Sequence, residues 1–128
     1  ITANVWAHCV AVFESNTSRT VYVNGVSSAV NTTSVSVSGI TNTFIGKYSD
    51  ASNYLNGLLS NLGIWNVALS VGEIISLSKG FSPLNVRPQS LVDYWPLLGA
   101  NSPEIGVKGK SLTVNGPTRS GDNPRIYV

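Results

Sequence analysis

Residues 54–80 constrain the fold most, because they read as one long strand, a turn and one short capped helix. Leu58, Leu62 and Ile64 fall on one face of that strand at a period of two, with Leu59 and Trp65 on the other, so both faces need cover. Ser70 stands where an N-cap belongs, and Glu73, three residues on, completes a capping box. Lys79 before Gly80 closes the segment, which predicts one short helix over residues 70–79.

The residues before it are strand after strand. Residues 5–14 read as a strand, residues 15–18 as a tight connection, and residues 19–25 as a second strand ending in a turn at Asn24-Gly25, so an antiparallel hairpin is expected. A third strand is expected near residues 27–31, then an edge strand or solvated loop over 32–38, and a short strand over 43–48. The polar residues 49–53 form a loop that feeds the long strand. Beyond Gly80, Pro83 and Pro88 make a connector that cannot continue the helix. Residues 90–97 read as a further strand, with Val92 and Tyr94 on one face and Leu91, Asp93 and Trp95 on the other. Another strand is expected over residues 110–116 and a terminal one over 124–128. Consecutive strands without intervening helices predict an all-β, antiparallel sandwich of the jelly-roll kind, and 128 residues suit one domain.

Composition narrows the function classes. Only 11% of residues are charged, while Ser, Thr, Asn and Gly abound, which suits the hydroxylated sheet surfaces of extracellular, cell-surface or virion proteins. The net charge is +2 and the basic residues are scattered, so no nucleic-acid footprint is present. No run approaches the ~20 apolar residues of a membrane span, so membrane insertion is not expected. Cys9 is alone, which excludes an internal disulfide, and its apolar neighbours predict a small buried hydrophobe.

Three pieces of the chain resemble the concanavalin A-like lectin/glucanase superfamily in its laminin-G-like form. Trp6-Ala-His-Cys-Val-Ala-Val-Phe followed by Arg19-Thr-Val-Tyr-Val-Asn-Gly is similar to paired strands in which Trp-x-His-Val-Ala precedes a Tyr-x-Asn-Gly turn. Leu55-Asn-Gly-Leu-Leu-Ser-Asn-Leu-Gly-Ile-Trp-Asn-Val-Ala-Leu-Ser resembles the family's late strand and helix start. Leu91-Val-Asp-Tyr-Trp-Pro resembles its opening strand, although it comes last here. The resemblance implies a laminin-G-like β-sandwich over residues 1–128 that is shortened or permuted at its N-terminal side. Replacement of its early strands by a second copy would make the protein a homo-oligomer, since open sheet edges and apolar patches promote association. Where the family often carries Asp-Glu, this chain has Ser60 and Asn61.

The chemistry-bearing residues are sparse. Hydrolytic relatives carry a Glu-x-Asp-x-x-Glu strand, because glycoside hydrolysis needs two facing carboxylates; the six acids here (Glu14, Asp50, Glu73, Asp93, Glu104 and Asp122) never fall in that spacing. His8 is the only imidazole, and its neighbour Cys9 points to the opposite face of a strand, so the two do not form a nucleophile and base. Catalysis is therefore not expected. Asp50, with Ser52 and Asn53, offers part of an oxygen shell for calcium, an ion that relatives use to shape a sugar site. Tyr48, Asn53 and Tyr54 flank one loop and are the candidate glycan contacts, since flat rings stack on pyranose faces while amides take hydroxyls. The expected function is a non-catalytic binding or adhesion module with a glycan ligand. The alternative is an assembly module of a surface or virion protein that uses its sheets for self-association.

Overall fold

A computed structural model describes residues 1–36, 38–39, 42–47, 53–98, 102–115, 121, 124 and 126. Its order is β1 (Cys9–Ser15), β2 (Ser18–Val23), β3 (Val26–Ser27), β4 (Leu62–Trp65), α1 (Val71–Ser78), a 3-10 turn at Pro83–Asn85, β5 (Leu91–Trp95), β6 (Glu104–Ile105) and β7 (Ser111–Leu112). Among the described residues these strands make three antiparallel sheets, β1-β2-β3, β4-β5 and β6-β7. Among the described residues the regular elements are thus mostly strands in antiparallel sheets, with one short helix, as the patterning predicts.

The turn that joins β2 to β3 forms where Asn24-Gly25 demands it. Both residues have positive φ, 51° and 82°, the pairing of a tight two-residue turn whose twist matches its strands. The Asn24 side chain accepts from the His8 amide at 2.9 Å, and its own amide donates to the His8 carbonyl at 2.8 Å, which pins the strand entry. The register sets Val10 opposite Tyr22 and Val12 opposite Thr20, so these side chains share one face. The residues between them, Ala11 opposite Val21 and Phe13 opposite Arg19, share the other.

Among the described residues, cover is supplied to the first of those faces. Helix α1 opens with the expected capping box: Ser70 Oγ accepts from the Glu73 amide, and Glu73 accepts from the Ser70 amide at 2.7 Å. Gly80, at φ 90°, ends it. Its buried residues Ile74 and Leu77 join Val12, Leu69 and Val86 in one core, with Val10, Tyr22 and Trp65 packed against it. The turn and helix meet closely, since a Cβ on Gly25 would lie 2.9 Å from Ser78 Oγ. Trp65 donates its indole N–H to the Val86 carbonyl at 2.9 Å, so the ring closes the core without stranding a donor.

A second locus is polar. Asp93 is fully buried in β5 and accepts from the amides of Tyr94, Lys108 and Lys110, each at 2.7 Å. Residues 106–110 wrap over it: Val107 donates to the Tyr94 carbonyl at 2.9 Å, and Trp95 Nε1 to the Lys110 carbonyl at 2.9 Å. Gly106 is required there, because a Cβ would sit 2.5 Å from the carboxylate. The Lys108 ammonium donates to the carbonyls of Pro88 and Leu91, tying the proline connector to the same loop. Burial pushes the Asp93 carboxyl up, but the amides of Lys108, Lys110 and Tyr94 and the Lys110 charge outweigh it and hold the group below its usual value.

Three features differ from the sequence reading. The long strand is only four residues, because Asn53 and Asn61 take left-handed backbone at φ 69° and 58° and the chain bends at residues 56–57. Leu58 and Leu59 consequently stay exposed. The strand expected over residues 43–48 is reduced to a bridge between Lys47 and Tyr54. Cys9, expected inside, is exposed, because the register turns it to the face that α1 does not cover. The terminal strand expected over residues 124–128 falls mostly outside the described residues.

The core predicts that Ile74→Ala destabilises by about 2–5 kcal/mol and Ser70→Ala by about 1 kcal/mol, both read as shifts of the urea midpoint. Asp93 has a lowered folded-state pKa, so its contribution is present above about pH 4 and lost as pH falls through the folded value. Melting temperatures from pH 6 to pH 3 are expected to drop steeply at the acid end. Asp93→Asn, which sets an NH2 group against backbone amides, should cost about 2 kcal/mol or more at pH 7 and flatten that acid limb.

Candidate functional site

The loop that the sequence marks for ligand contact is held at its base by backbone pairing. Lys47 bridges Tyr54 in antiparallel fashion, and the Leu55 amide donates to the Gly46 carbonyl at 2.8 Å. Gly46 has φ 72° and Asn53 φ 69°, so both shoulders of the loop turn through left-handed backbone that Gly and Asn tolerate. A Cβ on Gly46 would lie 3.2 Å from Leu59, which keeps that shoulder close against the following segment. Of the predicted contacts, Asn53 and Tyr54 stand on this shoulder and are exposed, with the Tyr54 residue 71% exposed. Tyr48 and Asp50 lie outside the described residues.

The structure adds two groups to that pair. The Lys47 ammonium lies 4.9 Å from the centre of the Phe44 ring and 5.7 Å from that of Tyr54, within cation–π range of both. Phe44 is itself 47% exposed. Two rings about one cation therefore form an open aromatic surface on a loop with a paired base. The sequence signal for Phe44 was its place in an expected strand, which gave no sign that its ring would share a lysine with Tyr54.

The calcium expectation rests on Asp50, which lies outside the described residues. Residues 42–47 and 53–60 contain no carboxylate, and Asn53 with backbone carbonyls falls short of the charged oxygen shell that the ion prefers. Among the described residues no group of three or more His, Cys, Asp or Glu is arranged to hold a metal. The Ser60 and Asn61 pair serves packing instead: Asn61 Oδ1 accepts from the Tyr94 hydroxyl, and Asn61 Nδ2 donates to Ser60 Oγ at 2.8 Å.

Two further carboxylates are committed locally. Glu73 caps α1 and pairs with Arg87 at 2.7 Å; the Ser70 amide, foremost, holds its carboxyl below the ordinary value. Glu14 accepts from Ser18 Oγ at 2.7 Å across the hairpin end. Burial lowers the pKa of His8, and its Nδ1 makes no hydrogen bond among the described residues, so through that atom it activates neither a hydroxyl nor a thiol.

Comparison with known proteins agrees with this architecture. The crystal structure of an S-layer domain-containing protein (residues 221-444) from Clostridium thermocellum ATCC 27405 is similar, with 29% sequence identity and a TM-score of 0.51 over 61% of this chain and 41% of that one. The present chain thus spans less than half of that structure's length. No curated protein matches. The laminin-G-like family model of the concanavalin A-like lectin/glucanases superfamily matches residues 1–75, more than half of the chain, from the hairpin into α1. On that match, and on the antiparallel sheets and capped helix that accompany it, the chain belongs to the concanavalin A-like lectin/glucanases superfamily, whose fold is a β-sandwich.

Proposed function

We propose that residues 1–128 form one non-catalytic binding module of a surface or extracellular protein, and that its ligand is a glycan held at the loop bearing Phe44 and Tyr54. The observation that carries this reading is the exposed Tyr54 ring on a loop whose base is fixed by backbone pairing. An exposed ring on a backbone-paired residue can cover the apolar face of a sugar at a lower ordering cost than one on an unpaired segment. Phe44 supplies a second stacking surface, and Asn53 an amide for hydroxyls. Tyr48 and Asp50 belong to the same loop by sequence, the former as a further ring and the latter as the acid through which calcium would act.

Family membership supports a binding role, and the similarity to an S-layer domain-containing protein supports a surface location. The commitment of Glu14, Glu73 and Asp93 to structural hydrogen bonds supports a role without catalysis. On this reading the protein, titrated by calorimetry against the glycans that score in an array, loses roughly tenfold or more in affinity on Tyr54→Ala and on Phe44→Ala. A chelator weakens binding only if Asp50 contributes a calcium site, and Asp50→Asn then reproduces the loss. Failure of every glycan to bind, or binding unchanged in both ring variants, would remove the carbohydrate reading.

A further inference from the structure

We propose that the groove along β1 and β2 is a binding site for a carboxylate-bearing sugar, a uronate unit of a glycan. The groove has a volume of about 350 Å3, the size of a small ligand cleft, and its lining includes Ala11, Phe13, Arg19, Val21, Ala29 and Asn31. The register sets Phe13 opposite Arg19 and Ala11 opposite Val21 on the face that turns away from Val12. A ring that is 70% exposed thus stands next to the residue that carries the guanidinium.

The polar side chains of this groove hold unspent donors. Arg19 gives Nη2 to Asn31 Oδ1 at 3.0 Å and to the Thr33 carbonyl. Among the described residues its Nη1 and Nε hydrogens meet no acceptor, and no carboxylate pairs with the guanidinium. Asn31 Oδ1 also accepts from the Thr33 amide at 3.0 Å, which fixes that side chain and leaves Nδ2 to donate. Ser28 Oγ, at the same groove, accepts from the Val21 amide at 3.2 Å and donates to the Ala29 carbonyl at 3.0 Å. The site therefore offers hydrogens and one positive charge, with the Asn31 and Ser28 oxygens already engaged.

Such a donor set calls for an anionic acceptor. The guanidinium is anchored at Nη2 before a ligand arrives, and a charge-assisted bond from it to a carboxylate is of the stronger kind. Beside it Ala11, Phe13, Val21 and Ala29 make an apolar wall, which takes the apolar face of a ring. A uronate carries both parts on one unit, a carboxylate at the edge of the ring and C–H groups over its face. A neutral sugar would leave the charge unmet, and a bare anion would leave the wall uncovered.

The choice of a sugar rests on the glycan reading above, but the residues are other than Phe44 and Tyr54, so the two sites fail separately. The test is calorimetry of the full chain with oligogalacturonate and oligoglucuronate, and with the same oligosaccharides after their carboxyls are reduced to hydroxymethyl groups. An acid form is expected to bind at least about tenfold more tightly than its reduced form. Ala11→Leu, which fills the groove without removing a hydrogen bond, and Phe13→Ala should each weaken that binding roughly tenfold or more. Arg19→Gln should abolish the difference between the two forms, whereas Tyr54→Ala should leave acid-form binding unchanged. No binding of either acid form, equal affinity for acid and reduced forms, or binding that Tyr54→Ala weakens and Ala11→Leu does not, would overturn the proposal. Acid-form binding that Ala11→Leu weakens while Phe44→Ala and Tyr54→Ala leave it intact would sustain this site and remove the loop from the contact.

Discussion

A hairpin with two apolar faces and one eight-residue helix to cover them is the constraint on which the rest depends. The helix is short because Ser70 and Gly80 fix its ends, and two turns bury only Ile74 and Leu77. That suffices for one face of β1 and β2, where Val12 completes the core. The other face receives nothing from the described residues, although its side chains are scarcely more polar. Both the stable part of the molecule and its open surface follow from this imbalance.

Polar groups do the closing that apolar area does not. Asp93 gathers three amides, and the loop that supplies two of them also receives the Trp95 indole and sends the Lys108 ammonium to the connector. A buried carboxylate is tolerated only where its lone pairs are taken up, and here backbone amides take them. The arrangement joins β5, the loop at residues 106–110 and the proline connector. Asn61 and Tyr94 make a smaller bond of the same kind between the β4 entry and β5.

The loop and the outer sheet face differ in physical character. The Phe44–Tyr54 loop presents rings about a cation on backbone pinned at its base, which suits a ligand with alternating apolar faces and hydroxyl edges. The outer face of β1-β2-β3 leaves Phe13, Val21 and Val26 exposed around Arg19.

The sequence by itself determined the β1-β2 hairpin, the Asn24-Gly25 turn that follows it, the capped helix and the strand at Leu91–Trp95. Each rests on interactions between residues a few positions apart, so the information is local. The family resemblance was legible for the same reason, because its motifs are turns, caps and alternating strands. What only the tertiary structure decided was which of two apolar faces goes inward, and that choice exposed Cys9 and Phe13 while burying Val12. It also shortened the long strand through left-handed Asn53 and Asn61, converted Asp93 from one acid among six into a buried anchor, and set Phe44 beside Tyr54 about one lysine. Period-two patterning cannot make those decisions, since an alternating strand reads the same from either side and the groups that cover or pair with it come from distant parts of the chain.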